Sequence, residues 1–392
     1  MNFIPVAIWT LVIAWGIAFG GLDGQFATLM QRWRRKRFQP DAHVDATQAA
    51  ADEHVAVLAP NAAVALAIVT PAGTRQVFAG RLDGKDSPTP DANTSFEIGS
   101  ISKTFTAALL VAMLREGVVQ LDTPLDGLLA PDARLGQQIP APVTLASLAT
   151  HTSGLPRLPW GWRMALGLFF SPMQPYRLIS DSALWRWLRH RRIRFGRRYR
   201  YSNLGYGVLG HVLALASGND YPSALKKFVL DPLQLANTHA TPDATCAQPH
   251  TALGRRAPAW DMRALAPAGG VRSTLADMTR WLEANIRNTP PLDARLHIAR
   301  ENSGGRHRSM ALAWHVDGEA DRRVVWHNGR TGGSSAVIAL APAHGVGIVV
   351  LSNSAASVDA LGMRLLHAAV AGAEPQSGSA IPTRMQPINE LL

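Results

Sequence analysis

Ser100 and Lys103 stand three residues apart, just ahead of the run Phe105-Thr106-Ala107-Ala108-Leu109-Leu110-Val111-Ala112, a helical pattern that is apolar nearly all round. Residues at that spacing share one helix face, so a hydroxyl meets an amine at the positive end of a helix. A helix of this kind is buried. Burial and the helix N-terminus both lower a lysine pKa, so a neutral amine becomes available to take the serine proton and make the hydroxyl a nucleophile. A structural lysine reaching outward to solvent is the competing reading. The spacing alone is weak, because Ser223 and Lys226 repeat it. There Ser223 follows Pro222 like an N-cap, and Lys226 and Lys227 lie on a short amphipathic helix with a solvent face. The chain carries 34 arginines and only five lysines. Arginine keeps its proton where lysine gives it up, so a lysine in an apolar helix stands out.

Two further motifs carry chemistry. In Tyr201-Ser202-Asn203 a phenol is available for proton relay and an amide for binding a substrate amide. A core tyrosine beside a helix-capping Asn203 is the plainer reading. In Trp326-His327-Asn328-Gly329-Arg330-Thr331-Gly332-Gly333 the chain leaves a strand. A small residue at Gly329 would let a substrate backbone lie alongside, and the next N–H would face an oxyanion. An ordinary glycine-rich hairpin loop is the alternative. It is not a phosphate-binding loop, since it lacks the lysine and the spacing, and residues 81–85 fail the same test.

The elements that must position these groups follow a simple order. Residues 62–69 and 75–80 form a hairpin pattern around Pro71-Ala72-Gly73. The nucleophile helix, a proline-rich connection at 122–142 and a short helix ending at Thr150 come next. Helical patterns follow at 204–217, 223–229 and 274–288, with a turn at 266–270. Strands return at 323–326, 335–341 and 345–351, and a helix at 355–371 closes the domain. Strands at both ends with helices between them predict an α/β (α+β) fold, its sheet built from both ends of the chain around a helical insertion at about 120–290. No repeat of fixed period is present.

At 392 residues, 47% of them hydrophobic and 17% charged, the chain suits a folded globular protein rather than a disordered one. A single cysteine, Cys246, excludes an internal disulfide, and with no HExxH array a zinc site is not expected. Residues 3–22 are almost uninterruptedly apolar and long enough to span a bilayer, so residues 1–30 read as a membrane anchor or signal segment. The basic residues follow that run at 32–37 and none precede it, which by the positive-inside rule favours a catalytic part facing the cytoplasm. Residues 31–55 are a basic, polar, alanine-rich linker, with a surface helix as the alternative for 40–53, and 372–392 form a polar tail. The net charge of +11 is concentrated with tryptophans in 160–200. That region reads either as a membrane-contacting patch or as a solvated basic face over a buried aromatic stripe. Nucleic acid is not expected, since net charge alone speaks for it.

Taken together, these motifs carry a resemblance. Phe96-Glu97-Ile98-Gly99-Ser100-Ile101-Ser102-Lys103-Thr104-Phe105 closely resembles the nucleophile motif of the serine β-lactamase and penicillin-binding-protein superfamily. Tyr201-Ser202-Asn203 resembles the Tyr-x-Asn element of its class C branch. His327-Asn328-Gly329 resembles the third element, Lys-Thr-Gly in β-lactamases and often His-x-Gly in peptidases and esterases. His151-Thr152-Ser153-Gly154-Leu155-Pro156 and Pro267-Ala268-Gly269-Gly270 match further phrases of this group, and the resemblance covers about residues 56–371.

That resemblance implies a β-lactamase/transpeptidase-like fold, a central antiparallel sheet flanked by helices with an inserted all-helical region. It implies that Ser100 forms an acyl-enzyme and that Lys103 and Tyr201 share the proton traffic, either one being the base. Asn203 would orient the acyl side chain, and the N–H groups of Ser100 and Arg330, beside Gly329, would hold the oxyanion. His327 would contact a substrate carboxylate or assist Tyr201. Two departures matter. His327 in place of lysine favours peptidase or esterase action over β-lactam hydrolysis, and Arg330 where a small residue is usual would narrow the oxyanion hole or favour an acidic substrate. The expected activity is that of a D-alanyl-D-alanine carboxypeptidase or endopeptidase of the AmpH type, on a small molecule or peptidoglycan peptide, with no cofactor and no metal. A β-lactamase, D-aminopeptidase or carboxylesterase is the alternative within the group, and a non-catalytic membrane- or cell-wall-binding scaffold outside it. Relatives that act on cell wall work outside the cytoplasmic membrane, so the expected location is periplasmic, against the charge rule, with residues 3–22 as signal or anchor.

Overall fold

Two apolar runs from opposite ends of the chain lie side by side in the computed structural model. The model describes residues 45–58, 61–129, 143–159, 161, 164–166, 169, 173–190, 199–241, 246–287 and 308–372. Strand β1 (Ala63–Thr70) pairs with β2 (Gly73–Gly80) in a tight hairpin and, on its other edge, with β9 (Val346–Ser352). The sheet continues through β8 (Ser335–Ala341), β7 (Val324–Arg330), β6 (His315–Asp317) and β5 (Arg308–Met310), antiparallel throughout, in the order β2-β1-β9-β8-β7-β6-β5. The predicted hairpin and the three predicted C-terminal strands are all present. Strands β5 and β6 are three residues each, too short to leave a period-2 pattern.

Alternation along the central strands sends side chains to two cores. Val64, Leu66, Ile68, Val337, Ile348 and Val350 face α1 (Ala46–Val57) and the closing helix α9 (Asp359–Ala371). Ala65, Ala67, Ile338, Val349 and Leu351 face the helical insertion. Because β8 and β9 are buried on both faces, they read in the sequence as continuous apolar runs. Each fully buried Val, Leu or Ile contributes about 1.5–3 kcal/mol of transfer free energy. The polar stretch before β1 is the surface helix α1, not a linker, over 46–57. Asp45 caps it by accepting the N–H groups of Thr47 and Gln48.

The insertion runs from β3 (Ser95–Glu97) through α2 (Ser102–Arg115), α3 (Leu145–Ala149), α4 (Asp181–Arg189), α5 (Asn203–Ala216), α6 (Tyr221–Leu225), α7 (Ala266–Gly269), β4 (Arg272–Thr274) and α8 (Leu275–Ile286). β3 and β4 pair as a separate two-stranded ribbon. Helix α2 is buried from Ser102 to Met113, as its all-round apolar pattern requires. Phe105 stacks on Trp281 of α8 with ring centroids 4.1 Å apart.

In the basic aromatic region, α4 turns Leu184 and Leu188 into the core, half-buries Trp185 and Trp187 against it, and exposes Arg186 and Arg189. The arginines at 191–198 lie outside the described residues. So do the apolar run at 3–22, the basic segment at 32–37 and the tail from 373. Among the described residues no helix is long and apolar enough to cross a membrane.

Candidate active site

The turn from β3 into α2 is where the two halves of the chain meet. Gly99 has φ +51°, the left-handed region, and a Cβ there would lie 2.6 Å from the backbone N of Arg330. The same approach seen from β7 is closer still. A Cβ on Gly329 would lie 1.9 Å from the carbonyl oxygen of Ile98 and 3.0 Å from the N of Ser100. Two glycines far apart in sequence thus let the 98–100 turn lie flat on β7, and the N–H groups of Ser100 and Arg330 become neighbours. Paired donors of this kind suit an oxyanion. Gly329 is small for the turn packed on it, a reason other than the expected admission of a substrate chain. The edge itself is open beyond Trp326, because β6 pairs only with Val324–Trp326. Gly329→Ala should therefore push the turn off the strand. We expect about 1–3 kcal/mol of destabilisation by urea melt and an acylation rate reduced roughly 100-fold, losing one oxyanion donor's worth. Unchanged acylation would mean the two donors need not touch.

Ser100 sits in the tight turn Gly99–Ile101 that opens α2. Lys103 Nζ is 3.0 Å from Ser100 Oγ, and the Tyr201 hydroxyl donates to the same oxygen at 2.8 Å. Lys103 is fully buried, and its Nζ also donates to the carbonyl of Ala268 at 2.6 Å. It reaches inward, not out to solvent. Ser102 and Thr106 hold the same segment: Ser102 Oγ accepts the Val271 N–H, and Thr106 Oγ1 donates to the Pro267 carbonyl. The polar residues of an otherwise apolar helix are thus spent on fixing the wall beside the amine. Burial, assisted by the positive charge of Arg157, holds Lys103 well below the usual lysine range. Burial pushes Tyr201 up, opposed by its bond to Ser100, so the phenol keeps its proton at neutral pH.

The other pair of matching spacing behaves differently. Ser223 is exposed, and Asp220, not Ser223, caps α6. Lys226 pairs with Asp231 on the surface.

Asn203 is the first residue of α5, and Ser202 caps the helix instead, accepting the Gly205 N–H at 2.8 Å. Asn203 is nevertheless buried, and its Oδ1 has no hydrogen-bond partner. His327 lies on the Val325–Gly329 face of β7, buried, and touches neither Tyr201 nor Ser100 by a hydrogen bond. Its Nδ1 lies 2.6 Å from the Asn328 carbonyl. Nδ1–H is the donor there, which leaves Nε2 as an acceptor without a partner. Burial, together with nearby His315 and Lys103, depresses its pKa and keeps the ring neutral. A neutral acceptor is a poor partner for a carboxylate, contrary to the role expected of it. Arg330 is exposed, and alternation puts its side chain on the Asn328 face, where Asn328 bonds Asp359 of α9. Its backbone, not its side chain, meets the turn, so the side chain does not supply the expected narrowing.

Two buried residues were not assigned a role from the sequence. His151 has φ +58°, strained for a residue with a Cβ. Its carbonyl accepts the Arg200 N–H at 2.8 Å and its Nδ1 accepts the Ser202 N–H at 3.1 Å. Its ring packs on Tyr201 with centroids 4.6 Å apart. It therefore grips the chain on both sides of Tyr201. Replacing it with alanine should free that segment and lower kcat about 10–100-fold. Asparagine tolerates left-handed φ and offers an acceptor, so His151→Asn should recover most of the loss. Equal kcat for the two variants would refute the grip. Glu97 accepts the Trp260 N–H at 2.5 Å and the hydroxyls of Thr331 at 2.8 Å and Ser334 at 3.2 Å, tying the loop after Arg330 to β3. Both residues lay within quoted phrases, His-Thr-Ser-Gly and Phe-Glu-Ile-Gly-Ser, yet neither phrase says what they hold.

A central antiparallel sheet with helices on both faces, and a serine, a lysine and a tyrosine meeting beside β7, place the chain in the β-lactamase/transpeptidase-like fold class. Solved structures of that fold superpose well. A class C β-lactamase gives a TM-score of 0.70 at 20% identity, covering 86% of this chain and 100% of that one. A β-lactamase/D-alanine carboxypeptidase from Yersinia pestis complexed with citrate gives 0.67 at 23% identity, covering 83% and 98%. Residues 56–372 match the Beta-lactamase family model, and the chain belongs to that family. Among curated relatives, D-alanyl-D-alanine-carboxypeptidase/endopeptidase AmpH of Escherichia coli K12 is 32% identical over 228 residues, 56% of this chain and 57% of that protein. The chain thus spans just over half the length of the AmpH proteins it matches. A β-lactamase of Pseudomonas fluorescens is 27% identical over 326 residues, 72% of this chain and 86% of that protein.

Proposed function

We propose that this chain is a serine hydrolase acting through an acyl-enzyme on Ser100, with the activity of a D-alanyl-D-alanine carboxypeptidase or endopeptidase. The observation that carries the reading is the meeting of Lys103 Nζ and the Tyr201 hydroxyl on Ser100 Oγ. Lys103 is the group to take the proton, since burial favours its neutral amine, whereas Tyr201 is held protonated. As Oγ attacks the scissile carbonyl, the N–H groups of Ser100 and Arg330 receive the oxyanion, each donor worth about 3–4 kcal/mol. Tyr201, already bonded to Oγ, hands a proton to the leaving group and recovers it through Lys103. Water then attacks the acyl-enzyme by the same steps in reverse. Asn203 Oδ1, buried and unpartnered, accepts a substrate amide N–H.

The AmpH relatives and a histidine where β-lactamases carry lysine support the peptidase reading over lactam hydrolysis. A cell-wall peptide lies outside the cytoplasmic membrane, so the enzyme works there, exported or tethered through the N-terminal apolar run. The test is mass spectrometry of the intact protein after exposure to D-Ala-D-Ala peptides, esters and β-lactams. A peptidyl mass on Ser100 that turns over is the expected result. Stable β-lactam adducts with rapid ester turnover and no peptidyl adduct would move the assignment to an esterase.

A further inference from the structure

We propose that the acyl donor carries an anionic group, and that Arg157 is the residue that recognises it. The inference rests on the acyl-enzyme reading and adds the substrate's charge. Arg157 ends the loop that begins at His151. Its carbonyl accepts the N–H groups of Asn203 at 3.1 Å and Leu204 at 3.2 Å, the first two residues of α5. The same helix start carries Asn203, and Tyr201 stands two residues before it, so the Arg157 backbone is anchored beside the residue that faces the acyl group in the proposed mechanism. Its guanidinium carbon lies 5.4 Å from the centroid of the Tyr201 ring, and Tyr201 is hydrogen-bonded to Ser100.

The side chain is exposed, and no acidic side chain among the described residues pairs with it. Other exposed arginines, such as Arg177 and Arg255, also have no carboxylate partner among the described residues; Arg157 is set apart by its place beside the Tyr201 ring. The carboxylate nearest in sequence to the nucleophile, Glu97, is buried and occupied by Trp260, Thr331 and Ser334. The field of Arg157 reaches Lys103 and three tyrosines, Tyr176, Tyr199 and Tyr201, so the site holds a positive charge with no counter-charge among the described residues. His327 does not supply a second cation, because it is buried and neutral.

Two groups carried at the start of α5 then define the ligand. Asn203 Oδ1 accepts an N–H and Arg157 takes a carboxylate, by a charge-assisted and geometrically directed bond. That pair describes an acidic peptide or N-acyl amino acid, not a neutral ester. Arg157 is a specificity residue in this account, acting on binding and not on proton transfer.

The test uses the full chain and two peptide esters that differ only by Glu against Gln on the acyl side. Wild type should favour the Glu substrate about tenfold in kcat/KM, mostly through KM, and the preference should shrink as ionic strength rises toward about 0.5 M. Arg157→Gln should bring the ratio close to one and Arg157→Glu should invert it. The ratio is internal to each variant, so a general loss of activity cancels. Equal kcat/KM for the pair in wild type, or a ratio unchanged by Arg157→Gln, overturns the inference. Turnover of either ester at the wild-type rate in Ser100→Ala overturns the acyl-enzyme reading instead.

Discussion

Ser100→Ala should abolish labelling by a fluorescent penicillin or a fluorophosphonate, while Ser223→Ala should label as wild type. Both serines precede a lysine by three residues, so the two variants separate motif spacing from environment. Ser100 Oγ receives an amine and a phenol inside hydrogen-bond distance. Ser223 stands exposed in α6, and Lys226, just past that helix, is paired to Asp231. Removing the nucleophile of a cooperating set typically costs on the order of 10⁵–10⁶ in kcat, because the remaining members have nothing to activate. Residual hydrolysis from the oxyanion donors and from binding alone would survive, but without a covalent adduct. Labelling of Ser100→Ala at the wild-type rate would remove Ser100 from the chemistry.

Lys103→Arg should inactivate the enzyme by roughly 10³-fold or more, although it preserves the positive charge. Arginine does not give up its proton in a protein, so a base cannot be made of it. In the wild type, Lys103 must be deprotonated to act, and its pKa lies well below 10.5. The rate of acylation should therefore rise with pH through that depressed pKa and level off above it, with the acid limb absent from Lys103→Arg. The sign for stability is the same. Between the folded pKa and 10.5 the unfolded chain binds a proton that the folded chain does not, so acidification across that window favours unfolding. A wild-type acid limb retained unaltered in Lys103→Arg would assign the base to another group.

Much of this was legible in the sequence, and the boundary is physical. Ser100 and Lys103 could be paired because an all-round apolar helix announces burial, and burial decides what a lysine can do, whereas Tyr201 joined them only through the resemblance of its Tyr-x-Asn motif. The long strands and helices announced themselves by period. What was not legible depends on contacts between distant segments. His151 holds Tyr201 through one backbone carbonyl, one ring nitrogen and a left-handed φ, none of which has a sequence period. Gly329 was singled out as room for a substrate chain, and only the packed turn reveals that Ile98 occupies the space of its missing side chain. The neutral state of His327 likewise follows from burial and from its bond to Asn328. The cap at Ser202 in place of Asn203 is a shift of one residue, within the ordinary uncertainty of a helix end.

The pairing of β1 with β9 joins residues near position 65 to residues near position 350. At a synthesis rate of about 5–20 residues per second, the first of these strands waits tens of seconds for its neighbour. During that interval β1, apolar on both faces, has only the β2 hairpin to cover one edge. Closing so long a loop is slow, and an apolar strand left waiting is prone to aggregate. Until its last third is complete, the nascent chain therefore carries β1 with one edge unpaired. Nor does a half-made chain hold a half-built site, because the Arg330 N–H proposed as the second oxyanion donor arrives only with β7. Biogenesis, more than chemistry, sets when the first functional molecule exists.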